Sequence, residues 1–420
     1  MKQVSEIAVK PVETDEELRL ANDLMAKIHF ADFFEALSWL DTSGAGYPNF
    51  LREHTRIAIR HGEIAGALRL NTETIRIGEA RLKTGGLGWV STAPRHRHHG
   101  VARLLIADTL RYMKRQGYHA SMLFGIPNFY HRFGFTTTLA EYAIIVNCAE
   151  AATTSVRDFK LRQGKPGDLS AIQRIHNGND GDVACSLLRS TAHMTNKWDR
   201  WSKGLKVLTT EHGKVVAYLN AQGGQDELVV SELGVLEGAG QGTDRAPSMN
   251  EDVCGAVLTA CAEAAVAESV GRIRYQVPPP HPFARFLLKF ASVHEMRVVR
   301  DRGGMMTFVD VGEALESMIH EWESLLARSA VRDDRAELTF VVNNAPYRIR
   351  ANCGAMDVAN VPGKNKVGLT AAELMHLVTG YRLAQDVLAA RRRIVTPEAR
   401  ALIGVLFPKR APYVWHFDRF

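Results

Sequence analysis

The sequence predicts a chain of mixed α/β and α+β domains, and three observations carry that prediction. A strand followed at once by a capped helix opens the chain, a similar opening recurs near residue 159, and the C-terminal part runs helix, strand, strand, helix. At 420 residues the chain is longer than a single core usually serves, so three units are expected, at residues 1–150, 151–304 and 305–420.

The elements follow in order. Ile7 to Val12 alternates as a strand, and Asp15 to Ile28 sets Leu18, Ala21, Leu24, Met25 and Ile28 at helical spacing behind Thr14 and Asp15. Arg56 to Ile59 and Glu63 to Arg69 form a hairpin pattern around His61-Gly62, and Thr74 to Ile77 leads toward a strand at Leu87 to Thr92. A helix is expected from Val101 to Lys114, stopped by Gly117, then a strand from Tyr118 to Ile126. Pro127 and Asn128 break that strand, and Glu141 to Asn147 is expected to close the first sheet.

The second unit opens with Phe159 to Arg162 and a helix through Ile172 and Ile175, and a strand at Leu228 to Val235 precedes a helix at Cys254 to Glu268. This order weakly repeats the first unit, as an internal duplication would. No basic turn joins the last two elements, so the copy is expected to be catalytically silent. The cluster Gly238-Ala239-Gly240-Gln241-Gly242 has no strand-to-helix junction beside it and is weak as a dinucleotide fingerprint. Pro278 to Pro280 reads as a stiff connector before an apolar helix at Phe283 to Phe290. Beyond a boundary near Gly304 come a helix from Gly312 to Leu326, strands at Glu337 to Val342 and Tyr347 to Ala351, and a helix from Thr370 to Ala390.

Composition excludes several classes. Hydrophobic residues at 46% and charged residues at 23%, with no low-complexity tract, exclude long disorder and a fibrous design. No stretch offers roughly 18 uninterrupted apolar residues, so no membrane span is expected and a cytoplasmic location follows as the default. The five cysteines are odd in number and lack CxxC spacing, which predicts buried thiols and neither a disulfide framework nor a zinc site. A net charge of +6 suits nucleic acid, an anionic membrane or a phosphate-bearing small ligand. The densest basic stretch, Arg95 to His99, is short and free of aromatics, which favours a compact phosphate site. His96, His98 and His99 have no nearby Cys or carboxylate partner, so no metal is expected there. No H-E-x-x-H, G-x-S-x-G or P-loop occurs, which leaves zinc peptidase, serine hydrolase and NTPase readings without support.

Chemistry concentrates in three segments. Val90-Ser91-Thr92-Ala93-Pro94-Arg95-His96-Arg97-His98-His99-Gly100-Val101-Ala102 joins a strand to a helix start and contains Arg97-x-x-Gly100-x-Ala102. A helix start exposes unpaired N–H groups and a positive dipole end, and small residues let a diphosphate approach the backbone. The segment matches the R/Q-x-x-G-x-G/A motif of GNAT acyltransferases. The turn Phe129-Tyr130-His131-Arg132-Phe133-Gly134-Phe135 resembles the Y-x-R-F-G-Y/F segment of the enhanced intracellular survival acetyltransferases. The aromatic end, Pro412 to Phe420, is unlike the usual polar terminus and is expected to be docked.

The resemblance to that family runs from the first strand to Phe420. It implies tandem GNAT-like mixed sheets, a C-terminal α+β domain like sterol carrier protein, and a hexamer built as a trimer of dimers. It implies acetyl-CoA as cosubstrate, bound at Val90, Ser91, Thr92, Arg97, His98, His99, Gly100, Val101, Ala102 and Arg103, with Gly125 and Ile126 at the end of the next strand. It implies Tyr130 as general acid toward the leaving thiolate and the α-carboxylate of Phe420 as general base toward the incoming amine. An ordinary α-carboxyl, with a pKa of about 3.3 to 3.7, is weak for that task unless desolvated. The substrates it implies are aminoglycosides and lysine-type amines, received by Asp32 and Trp39. The family's acidic residue before the terminal Phe is Arg419 here, a cation that would repel a polyamine and leave Asp418 and Asp32 to compensate. Two readings compete with this one at the residue level, since Tyr130 can be one more core aromatic and the tail can merely pack the last domain. A lipid carrier or a non-catalytic scaffold therefore stays open.

Overall fold

A computed structural model describes residues 7–29, 51–153, 159–196, 198–237, 250–331, 335–390 and 395–420. The chain divides into two compact units, one of residues 1–138, 299–409 and Phe420, the other of residues 139–298 and 410–419. It changes unit four times, which the three consecutive domains read from sequence do not contain.

The first unit holds a seven-stranded sheet. Its members are β1 (Ala8–Pro11), β2 (Thr55–Arg60), β3 (Glu63–Ile77), β4 (Ala80–Thr92), β5 (Ala120–Gly125), β6 (Thr136–Thr137) and β14 (Gly303–Phe308), in the order β1-β2-β3-β4-β5-β14-β6. The hairpin turn falls at His61 and Gly62, both at positive φ, as its twist demands. β3 and β4 run much longer than expected, because the pairing continues from Gly66↔Thr92 to Ile77↔Ala80 without a break in the strands. Helix Asp15–His29 covers one face through Ala21, Met25 and Ala26. Helix Val101–Arg115 covers the other through Val101, Leu105, Ile106 and Met113. Among the described strands of this sheet only β4 and β5 are parallel, and that helix is the crossover between them.

The second unit holds β7 (Glu141–Asn147), β8 (Phe159–Gln163), β9 (Leu205–Thr210), β10 (Val215–Gly223), β11 (Leu228–Val235), β12 (Arg272–Tyr275) and β13 (Ser292–Arg297). Their order is β13-β7-β12-β11-β10-β9-β8. Again one pair is parallel, β11 with β12, and again a helix, Glu251–Ala267, crosses between them. Two sheets with the same single parallel crossover bear out the tandem reading. The strand expected to close the first sheet, Glu141 to Asn147, pairs instead with β12 and β13 of this one. The boundary expected near Gly304 falls between Val298 and Val299, and Gly304 itself lies inside β14, where it pairs with Phe124 of β5. Alternation alone says that a segment is a strand, not which sheet takes it. Pro278 to Pro280 lies inside the second unit, just before the helix Pro282–Leu287.

A third, four-stranded sheet, ordered β17-β16-β15-β18, comprises β15 (Arg335–Val342), β16 (Ala345–Asn352), β17 (Ala355–Ala359) and β18 (Lys366–Leu369). Trp322, Phe340 and Phe407 centre its core, with ring centroids 5.4 and 5.7 Å from Phe407. The helix expected from Gly312 to Leu326 is two, Val311–Glu316 and Ile319–Ala327. The Thr370 helix forms with a capping box to Glu373 but stops at Val378. Cys353, expected to be buried, is exposed. Among the described residues no helix is long and apolar enough to cross a membrane, and no cluster of His, Cys, Asp or Glu is placed to hold a metal.

Candidate active site

β4 and β5 build the site by parting. Their register runs only from Thr84↔Ala120 to Gly86↔Met122, yet β4 continues to Thr92 and β5 to Gly125. Past Gly86 the facing edges carry backbone groups that no longer pair with each other. Along the same stretch Ala67 pairs with Ser91 and Arg69 with Gly88, so Trp89 and Val90 together oppose Leu68 in a bulge. Trp89 takes φ 57, outside the strand region, and His29 braces the kink by donating from Nε2 to the Val90 carbonyl at 3.3 Å. A bulge beside a splayed parallel pair leaves an extended ligand backbone to bind along β4.

At the end of β4 the chain turns through Pro94–His96 into helix Val101–Arg115. Gly100 stands at the N-cap with φ 82, no side chain caps the helix, and its first turn holds no acidic residue. The first internal bond is Leu104 N–H to the Gly100 carbonyl, so the earlier amides have no partner within the helix itself. Arg97, His98, His99 and Arg103 are exposed around them. Uncapped amides, a positive dipole end and flanking cations suit a diphosphate. His96 differs from its neighbours, because it is buried beside Arg60 and Glu63 and does not line the turn. The second unit's matching helix is closed to anions. Asn250 caps it by accepting from Val253 N–H, and Glu251 and Asp252 fill its first turn. The two helix starts thus differ in capping and in charge.

Gly100→Asp tests the turn directly. A negative side chain on a positive-φ glycine opposes both the backbone conformation and the anion. Calorimetry of the folded variant should show acetyl-CoA affinity reduced at least about tenfold, and an unchanged affinity would remove the turn from the cofactor site.

Tyr130 begins a short 3-10 turn, Tyr130–Phe133, just after β5. Its ring lies over Gly125, where an added Cβ would come within 2.5 Å, and meets Phe129 and Phe135 at centroid distances of 4.9 and 6.2 Å. Burial pushes its phenol up to about 12, so it holds its proton throughout the physiological range. Ile126, just past the end of β5, is 62% exposed.

Phe420 lies on β4. A Cβ at Gly86 would strike its ring at 2.3 Å, and one at Gly88 would stand 3.3 Å from its carboxyl carbon. Its ring meets Phe124 of β5 edge-on at 6.1 Å. Side chains alternate across a sheet, so Gly86 and Phe124 share one face while Gly125 points to the other. The terminal residue and Tyr130 therefore approach the parted strands from opposite faces. The sequence signal for this placement is Gly85-Gly86-Leu87-Gly88, glycines within a strand that mark a close approach. Neither these glycines nor Trp89 and Phe124 are among the residues that the motifs assign to the site.

Two expectations change, and another falls on residues that the structure does not describe. Asp32 and Trp39 lie outside the described residues, as does the glycine cluster from Gly238 to Gly242. Asp418 is not presented to a ligand, because it is fully buried and both its oxygens accept from Arg189, at 2.8 and 3.0 Å. Arg419 does not stand as an uncompensated cation, since its Nη2 donates to Glu141 at 2.8 Å.

Residues 42–138 match the acetyltransferase (GNAT) domain, the stretch that contains β4, the phosphate-type turn, β5 and Tyr130. The chain thus carries an acyltransferase domain and is an enzyme of that class. In solved structures it is similar to a GCN5-related N-acetyltransferase from Anabaena variabilis, at 16% identity and a TM-score of 0.73 over 99% of this chain and 100% of the other. It is similar to a conserved protein from Enterococcus faecalis described as a probable N-acyltransferase, at 14% identity and a TM-score of 0.75, over 99% and 100%. It is also similar to Eis1 from Mycobacterium abscessus, at 15% identity and a TM-score of 0.64, again over 99% and 100%. These likenesses establish the fold across the whole chain. A search of curated proteins finds no match.

Proposed function

We propose that this chain moves an acetyl group from acetyl-CoA to a primary amine of a small cationic acceptor, aminoglycoside-like or lysine-type. The observation that carries the reading is the terminal carboxyl of Phe420 against Gly88, on the face of the parted strands opposite Tyr130. Acetyl-CoA supplies the thioester. The amides of Val101 to Arg103, with Arg97 and Arg103, hold its diphosphate, and the edge of β4 around Val90 to Thr92 holds its extended arm. An amine reaches the site mostly as ammonium, and the Phe420 carboxylate takes its proton, directly or through water. Attack then proceeds from the Phe420 side and the sulfur departs toward Tyr130. A phenol near 12 is a weaker acid than an ordinary thiol near about 8.5, so Tyr130 keeps its proton and stabilises the departing thiolate by donating a hydrogen bond, and the thiolate takes a proton from solvent on release.

Asp32 and Trp39 remain the proposed acceptor contacts, while the burial of Asp418 removes it from that group. Assembly as a hexamer, a cytoplasmic location and a sterol-carrier-like last domain belong to the same proposal. A thiol-release assay with acetyl-CoA and a panel of aminoglycosides, lysine-type amines and other primary amines tests it. Amine-dependent release is expected. Binding of acetyl-CoA without release for any amine would instead favour a scaffold or lipid-carrier role.

A further inference from the structure

The second unit has no anion-binding helix start at its crossover, yet it buries a set of charges at high cost. Arg189 is fully buried between two carboxylates, Asp418 at 2.8 Å and Glu232. Burial by itself disfavours the charges of Arg189 and Asp418, but the facing groups more than offset it: Arg189 is held well above its ordinary value and Asp418 well below the carboxylate range. Tyr218 donates to Glu232 at 2.9 Å and fixes the far side. What the cluster grips is the C-terminal tail. Arg189 holds Asp418 bidentately, and its guanidinium lies 4.7 Å over the ring of Phe417. Phe417 also meets Trp201 at 5.0 Å. Trp415, 1% exposed, donates to Asp180 at 2.8 Å, and Tyr413 N–H donates to the Ala184 carbonyl.

We infer that Arg189, with Glu232 behind it, is a positioning residue that anchors the tail at Asp418 and so fixes the terminal carboxylate of Phe420 for proton transfer. Two residues separate the anchor from the chain end, a reach of about 7 Å, so an anchored Asp418 confines the carboxylate to a small volume. Without that grip the tail would be held by its aromatics and by the part-exposed Arg419–Glu141 pair, which leaves that volume larger. The role of the second, silent copy is then to hold the tail. The catalytic half of this inference rests on the proposed base; the anchoring half does not.

Asp418→Asn is the variant of choice, because it leaves Arg189 and Glu232 as a one-to-one buried pair and removes the carboxylate charge that Arg189 grips bidentately and His193 faces at 3.4 Å. Arg189→Lys, which keeps the charge but loses the fork, is the second variant should Asp418→Asn fail to fold. Two readouts are taken on each folded protein. Release of the terminal phenylalanine by carboxypeptidase A should speed up about tenfold or more over wild type, and kcat should fall by a similar factor while KM for acetyl-CoA stays unchanged. A loss confined to general packing would not split kcat from KM in this way. Wild-type release of phenylalanine from folded variants would overturn the anchor. Faster release with unchanged kcat would uphold the anchor and sink the terminal-base reading instead.

Discussion

Tyr130→Phe is expected to lower kcat about 10²-fold or more with the affinity for acetyl-CoA unchanged. The ring keeps its seat over Gly125 and its edge contacts to Phe129 and Phe135, so the fold and the parted strands are preserved. Only the hydroxyl goes, and with it the group proposed to meet the departing sulfur. Steady-state kinetics on the best amine, with calorimetry for acetyl-CoA, measure both quantities. A fully active variant would mean that Tyr130 is packing, the bland role that its phenylalanine neighbours suggest.

Much of this site is legible in the amino-acid sequence. Arg97, Gly100 and Ala102 can be placed on a helix start because their setting is local: a strand ends, Pro94 turns the chain, and apolar periodicity begins at Val101. Tyr130 is legible for the same reason. The exchanged strands are not. Glu141 to Asn147 has the alternation of a strand in either sheet, and β14 lies 178 residues along the chain from the β5 residues that it joins, as Gly303↔Gly125 shows. Nothing local encodes such a partner.

Charge misleads in a specific way. Asp418 and Arg419 look like a free acid and a free base beside the chain end, and a sequence offers no means of seeing Arg189 or Glu141 opposite them. The same limit hides Glu232, whose partner Arg189 stands 43 residues away. Buried ion pairs are long-range facts, and the tail's grip depends on them. The glycines at Gly85, Gly86 and Gly88 are a signal of another kind, since three glycines in a strand weaken it unless something packs on the bare backbone. Here the Phe420 ring does so at Gly86.

Adding one glycine after Phe420 tests the central claim most directly, because the proposed base is the chain's own end. The extension carries the carboxylate about 3.8 Å onward from its place beside Gly88 and puts an uncharged amide there. The account predicts that kcat falls by about 10² or more, with acetyl-CoA affinity and thermal midpoint unchanged, and that Phe420→Leu, which keeps the carboxylate, is the milder change. If Phe420 only fills space against Gly86 and Phe124, the ranking reverses, since leucine loses the ring contacts and a solvent-directed glycine does not. An extended enzyme that turns over at the wild-type rate would contradict the terminal base outright.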